Sequence, residues 1–222
     1  MVITIGAEKG GVGKSRLATN IAALAACNGV DVVLLDTDKQ GSATSWSRIR
    51  NEEGIVPSIP VLALPPNPAR ELANLSGKYT LVVVDIGAQN YRTMLECSLL
   101  SDLVLVPCGP DQQEIESTLN VFSHLKEMDS RHELGHIPAH IVLTRVSTTE
   151  TAKATTELRE YFKEEGLSVF DTQIAQRASW LASGKTGRAL HELNSRDRSV
   201  KATEEIQALY TEILKRINAG NK

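Results

Sequence analysis

The chain has 222 residues, 41% of them hydrophobic and 23% charged, which suits one soluble domain with a substantial core and excludes a disordered or fibrous protein. Its longest apolar run, Ile21 to Cys27, falls well short of the roughly 18 to 20 residues that cross a bilayer, and Met1 leads straight into Val2-Ile3-Thr4-Ile5 without a basic leader, so neither a membrane span nor an export signal is expected. The formal charge of −3 is uneven: residues 1–144 carry 11 Lys and Arg against 16 Asp and Glu, and residues 145–222 carry 13 against 11, so only the C-terminal third offers a basic face.

Short β-branched runs alternate with longer segments of helical period, the pattern of repeated βαβ units. Strands are predicted at Val2 to Ile5, Val32 to Leu35, Val61 to Leu64, Leu81 to Ile86, Leu103 to Val106, Ala139 to Leu143 and Leu167 to Phe170. Helices are predicted at Lys14 to Ala26, Ser42 to Asn51, Pro68 to Leu75, Tyr91 to Leu99, Asp111 to Glu127, Thr149 to Glu164, Trp180 to Leu193 and Ser199 to Ile217. Several strands are nearly continuous apolar runs, which implies burial on both faces and a parallel sheet between helix layers. No repeat or linker interrupts the pattern, and Pro57, Pro60, Pro65, Pro66 and Pro68 bracket a short strand without dividing domains. The expectation is a single doubly wound α/β domain over residues 1–222, with ligands beyond the carboxyl ends of its strands.

Directly after the first strand stands Gly6-Ala7-Glu8-Lys9-Gly10-Gly11-Val12-Gly13-Lys14-Ser15, and a helix begins at Lys14. A strand, a glycine-rich loop and a helix N-terminus make a nucleoside triphosphate site: Gly10, Gly11 and Gly13 let backbone N–H groups surround the phosphates, and the helix dipole adds positive potential. Lys14 neutralises β- and γ-phosphate charge, and Ser15 offers its hydroxyl to Mg²⁺. The strict GxxxxGK[ST] pattern fails because Glu8 occupies the first glycine position. A second lysine, Lys9, stands beside the anion site, where it is either a solvated loop charge or a donor to a γ-phosphate of its own or of a facing subunit.

Lys9 to Ser15 reads KGGVGKS and resembles the loop of the deviant-Walker ATPases of the ParA/MinD group. The resemblance extends through most of the chain. It implies a P-loop NTPase fold, ATP and Mg²⁺ as ligands, hydrolysis of ATP to ADP and phosphate, and a homodimer formed on ATP in which Lys9 reaches the partner's nucleotide. Arg16 replaces the second Ser or Thr common in the group and either contacts the α-phosphate or packs as an ordinary helix residue.

The second strand runs into Asp36-Thr37-Asp38-Lys39-Gln40-Gly41-Ser42. Two carboxylates two residues apart at a strand end point the same way, so Asp36 is placed to hold a Mg²⁺-bound water and Asp38 to orient the water attacking the γ-phosphorus. The alternative is a turn with Ser42 as N-cap. The stretch resembles the group's DxDxQGS motif, which implies a metal role for Asp36 and a catalytic one for Asp38. Leu81-Val82-Val83-Val84 runs into Asp85, the Walker B arrangement, in which Asp85 serves Mg²⁺. The turn Val106-Pro107-Cys108-Gly109-Pro110 and Glu114 resemble the group's P-x-x-P turn and the acidic position after it, so Glu114 is either a dimer-interface residue or an exposed helix charge. The resemblance places Val12, Thr144, Arg145 and Gln176 about the nucleotide, with Thr144-Arg145 and Ile174-Ala175-Gln176-Arg177 in two adenine-proximal loops; Arg145 and Arg177 read equally as surface charges.

Residues 177–201 hold Arg177, Lys185, Arg188, Arg196, Arg198 and Lys201 against Glu192 and Asp197, a net +4. Doubled in a dimer, this segment offers a surface for DNA phosphates without sequence preference. On the last helix, Ile206, Leu209, Tyr210, Ile213, Leu214 and Ile217 recur at helical spacing among Glu204, Glu205 and Glu212, so it is expected to pack on the domain and not to insert into a membrane. The expected function is therefore that of the short ParA proteins of plasmid or chromosome partition: a cytoplasmic, nucleoid-associated ATPase that binds nonspecific DNA as an ATP dimer and is stimulated by a centromere- or cargo-bound adaptor. Positioning of another cargo, as in MinD or chemotaxis arrays, is the alternative. A redox reading, by similarity to the nitrogenase iron protein, would fall on Cys97 and Cys108. With three cysteines and no Cys-x-x-Cys spacing, the thiols are expected to be small buried hydrophobes in a reducing compartment, with no disulfide framework or zinc cage.

Overall fold

The apolar runs of the sequence become strands buried on both faces, as the computed structural model shows; it describes residues 1–65, 67–88, 90–148 and 152–220. The strands β1 (Val2–Ile5), β2 (Val32–Asp36), β3 (Val61–Ala63), β4 (Leu81–Asp85), β5 (Leu103–Cys108), β6 (Ala139–Val146) and β7 (Val169–Ala175) form one parallel sheet in the order β3-β2-β4-β1-β5-β6-β7. The connecting helices are α1 (Lys14–Cys27), α2 (Ser42–Glu52), α3 (Pro68–Ser76), α4 (Tyr91–Ser98), α5 (Gln112–Met128), α6 (Ala152–Glu164), α7 (Ala178–Thr186) and α8 (Val200–Gly220). This is the predicted α/β architecture.

Alternation along the strands sends side chains to two cores. Ile3, Ile5, Leu34, Val83 and Leu105 meet Leu17 and Ile21 of α1, Trp46 of α2, Trp180 of α7 and Ile206 and Ile213 of α8. On the other face Val2, Val33, Leu35, Val82, Val84 and Val104 meet Leu72 of α3, Met94 of α4 and Val121 of α5. Phe162 of α6 joins Ile141 and Leu143 of β6 and Val169 of β7 in a third cluster. Ala18, Ala22, Ala23 and Ala25 are all fully buried, so α1 lies close on the sheet.

Several boundaries differ from the sequence reading; β6, for one, runs three residues past Leu143 to Val146. β7 runs on from Phe170 to Ala175; it is an edge strand, and its polar Asp171-Thr172-Gln173 segment resembles a loop in sequence although Ile174 and Ala175 are buried strand residues. β5 continues through Pro107 to Cys108, because β1 pairs only as far as Leu105 and no ladder on that side needs the missing N–H. α7 stops at Thr186, and a separate 3-10 turn spans Leu190–Glu192. The stop is Gly187, at φ +66°, where a Cβ would stand 2.5 Å from the Arg50 backbone nitrogen. Of the expected features, Thr149 at the start of the sixth helix and Pro66 lie outside the described residues.

Candidate functional site

Strand register brings the predicted acids and the glycine loop to one level. Asp36 and Asp85 are direct partners at the ends of β2 and β4, and Ile5, which leads into the loop, pairs with Asp85 from β1. Beyond these ends opens a cavity of about 960 Å³, lined by Gly10, Gly11, Gly13, Lys14, Ser15 and Arg16 of the loop and first helical turn, and by Asp38 and Gly87 across from them. Gly11 and Gly13 take φ of +78° and +101°, left-handed values that glycine alone adopts freely. α1 then starts behind Gly13 with no side-chain cap, so its first N–H donors have no side chain to satisfy them. Such a helix start favours an anion.

The two lysines differ. Lys14 is buried and donates from Nζ to the Lys9 carbonyl at 2.8 Å. Burial pulls its pKa below the ordinary lysine range, and the Asp85 and Asp38 carboxylates oppose that shift. The Lys9 side chain points away toward the first turn of α5, where Nζ donates to Gln113 Oε1 at 3.3 Å in the open.

The acids differ as well. Asp85 is fully buried, and neither of its oxygens has a hydrogen-bond partner among the described residues. Burial pushes its pKa up to about 7; the nearby Ser15 hydroxyl and Lys14 ammonium pull the other way. A buried carboxylate left without a donor, beside a serine hydroxyl at a helix start, suits a hard divalent cation. Asp36 is equally buried but committed: Oδ1 accepts from the Asp38 N–H at 3.0 Å, and Oδ2 from the Thr44 N–H and hydroxyl at 2.8 and 2.7 Å. It therefore shapes the Asp38 loop and the start of α2, where Gly41 and not Ser42 is the N-cap. Asp38 is half-buried, accepts from the Gln40 N–H at 2.9 Å and faces the cavity.

Thr37, which the sequence reading passed over between the two aspartates, ties the acidic loops together. Its hydroxyl donates to the Asp85 carbonyl at 3.0 Å and accepts from the Gly87 N–H at 3.1 Å, while Asn90 Nδ2 donates to its carbonyl. A Cβ on Gly87 would lie 2.9 Å from Asp38 Cα, so a glycine is needed for this approach.

Several expected ligand residues have other work. The Thr144 hydroxyl donates to the Val12 carbonyl at 3.0 Å, bracing the glycine loop from β6 and committing its proton within the protein. Arg145, at φ +54°, pairs with Glu114, whose other oxygen accepts from the Gly109 N–H at 2.8 Å. Glu114 is buried and paired, not an exposed helix charge. Gln176 is exposed, and its N–H donates to the Val146 carbonyl at 3.0 Å, setting the ends of β6 and β7 side by side.

The basic segment also divides. Arg177 is bound to Glu205 of α8, Nη2 to Oε1 at 2.5 Å with each side chain 19% exposed, which removes it from a DNA-facing set. Lys185 lines the same cavity, together with Leu181 and Trp46. Arg188 is half-buried; Arg196, Arg198 and Lys201 are exposed. Cys97 and Cys108 are fully buried in different core clusters, their thiols pushed up to about 12 and about 11 by burial, so neither is placed to hold a cluster between subunits. Cys27 is exposed, contrary to the expectation for it.

The family model for the CobQ/CobB/MinD/ParA nucleotide binding domain matches residues 3–190. Protein ParA of Rhizobium radiobacter is 25% identical over 222 residues, covering 97% of each chain. Maintenance of carboxysome distribution protein A of Gloeobacter kilaueensis is 32% identical over 177 residues, covering 78% of this chain and 76% of its own. Among solved structures, the septum site-determining protein MinD of Pyrococcus horikoshii, complexed with Mg-ADP, superposes with a TM-score of 0.70 at 16% identity, covering 99% of this chain and 98% of that one.

Proposed function

Because this chain belongs to the CobQ/CobB/MinD/ParA nucleotide-binding family, we propose that it is a partitioning ATPase: it binds Mg-ATP in the cavity above β1, β2 and β4, dimerises on it, holds DNA without sequence preference, and releases it when a centromere- or cargo-bound adaptor stimulates hydrolysis. The observation that carries the nucleotide reading is the uncapped start of α1 facing the unpartnered, buried Asp85. Anion and cation sites are thus adjacent, as a metal-bound triphosphate requires.

In this reading Gly10 to Ser15 hold the phosphates through the loop and the α1 N-terminus, and Lys14 neutralises them from its buried position. Ser15 and Asp85 hold Mg²⁺, with Asp36 positioning the loop between them. When bound, the ion neutralises charge developing on the β- and γ-phosphates. Asp38 orients the attacking water. Lys9, exposed and held by one long hydrogen bond to Gln113, is available to turn toward a partner's nucleotide. Arg16, which lines the cavity, borders the nucleotide.

Arg188, Arg196, Arg198 and Lys201 form the DNA-facing set, and a nucleoid-associated location follows from it. The test is DNA binding across a salt series with ATP, ADP or no nucleotide. Binding is expected only with ATP, with log affinity falling by about 0.9 per phosphate neutralised for each unit of log salt. Equal binding with ADP overturns the switch. A second reading, positioning of a proteinaceous cargo, is favoured by the 32% identity to a carboxysome distribution protein. It also predicts an ATP-dependent dimer, but with adaptor stimulation by a cargo protein in place of a centromere-binding one.

A further inference from the structure

Away from the cavity, the C-terminal end of α1 meets the 3-10 turn Leu190–Glu192. Cys27 Sγ, His191 Nε2 and Glu192 Oε1 converge there. The sulfur is 3.4 Å from the nitrogen and 3.7 Å from the carboxylate oxygen, and the three ligand atoms lie within 4.8 Å of one another. We propose that these three side chains form a binding site for a borderline-soft divalent cation of the zinc class.

The two distances from the sulfur are close to those between ligands of a bound ion. A tetrahedral zinc with bonds of about 2.3 Å to sulfur and about 2.0 to 2.1 Å to nitrogen and oxygen keeps such ligands roughly 3.5 Å apart. The donor set selects the metal, since a thiolate and an imidazole disfavour Mg²⁺ and Ca²⁺. His191 Nδ1 has no hydrogen-bond partner among the described residues, so the ring's one polar contact there is the Cys27 sulfur.

Glu192 is fixed from behind. The fully buried guanidinium of Arg50 donates to both its oxygens, at 2.6 and 2.7 Å, and the Ala189 N–H donates to Oε2 at 2.8 Å. Such outer partners orient a ligating carboxylate. Cys27 is exposed and gives the ion its way in. On binding, the Cys27 S–H bond breaks as the sulfur–metal bond forms, the proton leaves to solvent, and water fills the remaining position. The ligands lie at 27 and 191–192, so no local spacing motif reveals them. A bound ion would fasten the far end of α1, the helix that opens the nucleotide site, to the turn that leads into Arg196 and Arg198.

The test uses the untagged full chain without nucleotide and with Mg²⁺ in excess. Calorimetry with Zn²⁺ should give one ion per chain, and Co²⁺ in its place should show a thiolate-to-metal charge-transfer band. Cys27→Ser should abolish that band, and Cys27→Ser and His191→Gln should each weaken zinc by more than about a hundredfold, the upper end of what outer-shell changes alone cost. Circular dichroism and Mg-ATP affinity should be unchanged in both. No stoichiometric zinc, a cobalt spectrum without the charge-transfer band, or either variant binding zinc like the parent overturns the site.

Discussion

At the residue scale the nucleotide site rests on a contrast between two neighbouring carboxylates. Asp36 and Asp85 are register partners of equal burial, yet among the described residues one has both oxygens hydrogen-bonded and the other neither. Asp85→Asn should therefore weaken Mg-nucleotide far more than metal-free nucleotide, measured by titration with and without Mg²⁺. Asp38→Ala should leave ATP binding intact and lower phosphate release by about 10² to 10⁴, the span of a positioned acid–base group. An Asp38→Ala chain that turns over normally removes Asp38 from the reaction. The glycine loop and the three aspartates were legible in sequence because their chemistry depends on local spacing at strand ends. Thr144 and Glu114 were not. Their partners, Val12 and Arg145 with Gly109, are chosen by the packing of distant strands and by the left-handed turn at Arg145, none of which leaves a local pattern.

Elements are joined by a buried ion pair that the sequence shows only as two charges. Arg50 of α2, fully buried, donates to the Pro57 and Gly187 carbonyls at 2.8 and 3.1 Å besides its fork on Glu192, and it lies 5.3 Å from the Trp46 ring centre. Removing one member of such a pair leaves an uncompensated charge, so Arg50→Met should cost about 3 to 5 kcal/mol in urea unfolding, with part restored by adding Glu192→Gln. Gly187→Ala should destabilise through the same joint, because its φ of +66° and the 2.5 Å approach to Arg50 leave no room for a methyl group. The central strands were readable because burial on both faces writes an unbroken apolar run. β7 was cut short because an edge strand carries polar residues on its open side, and α7 was drawn too long because what ends it is contact with α2, not composition.

For the whole molecule, one acid-sensitive contribution sits at the joint between α8 and the β6–β7 edge. Arg216 donates to His140 Nδ1 at 3.2 Å and to Ser168 Oγ at 3.0 Å while stacking 4.3 Å over Phe170. Burial first, and Arg216 next, hold His140 down to about 4. The unfolded histidine takes its proton near pH 6.5 and the folded one does not. This contribution is therefore complete above about pH 6.5 and falls away by about 3 kcal/mol as the pH drops to about 4. Compared with the parent, His140→Gln should lose less stability between about pH 6.5 and about pH 4 in chemical denaturation, by about the amount of this contribution. The strand order has a consequence for how the protein is made. β4 lies between β2 and β1, so β1 finds no neighbour until Leu81–Asp85 has followed it in synthesis. Its second flank, β5, comes later still, and the hydroxyl that braces the loop at Val12 is on Thr144. The glycine loop is thus made before most of the sheet and completed only after it, and a nascent chain halted before β6 should bind no nucleotide.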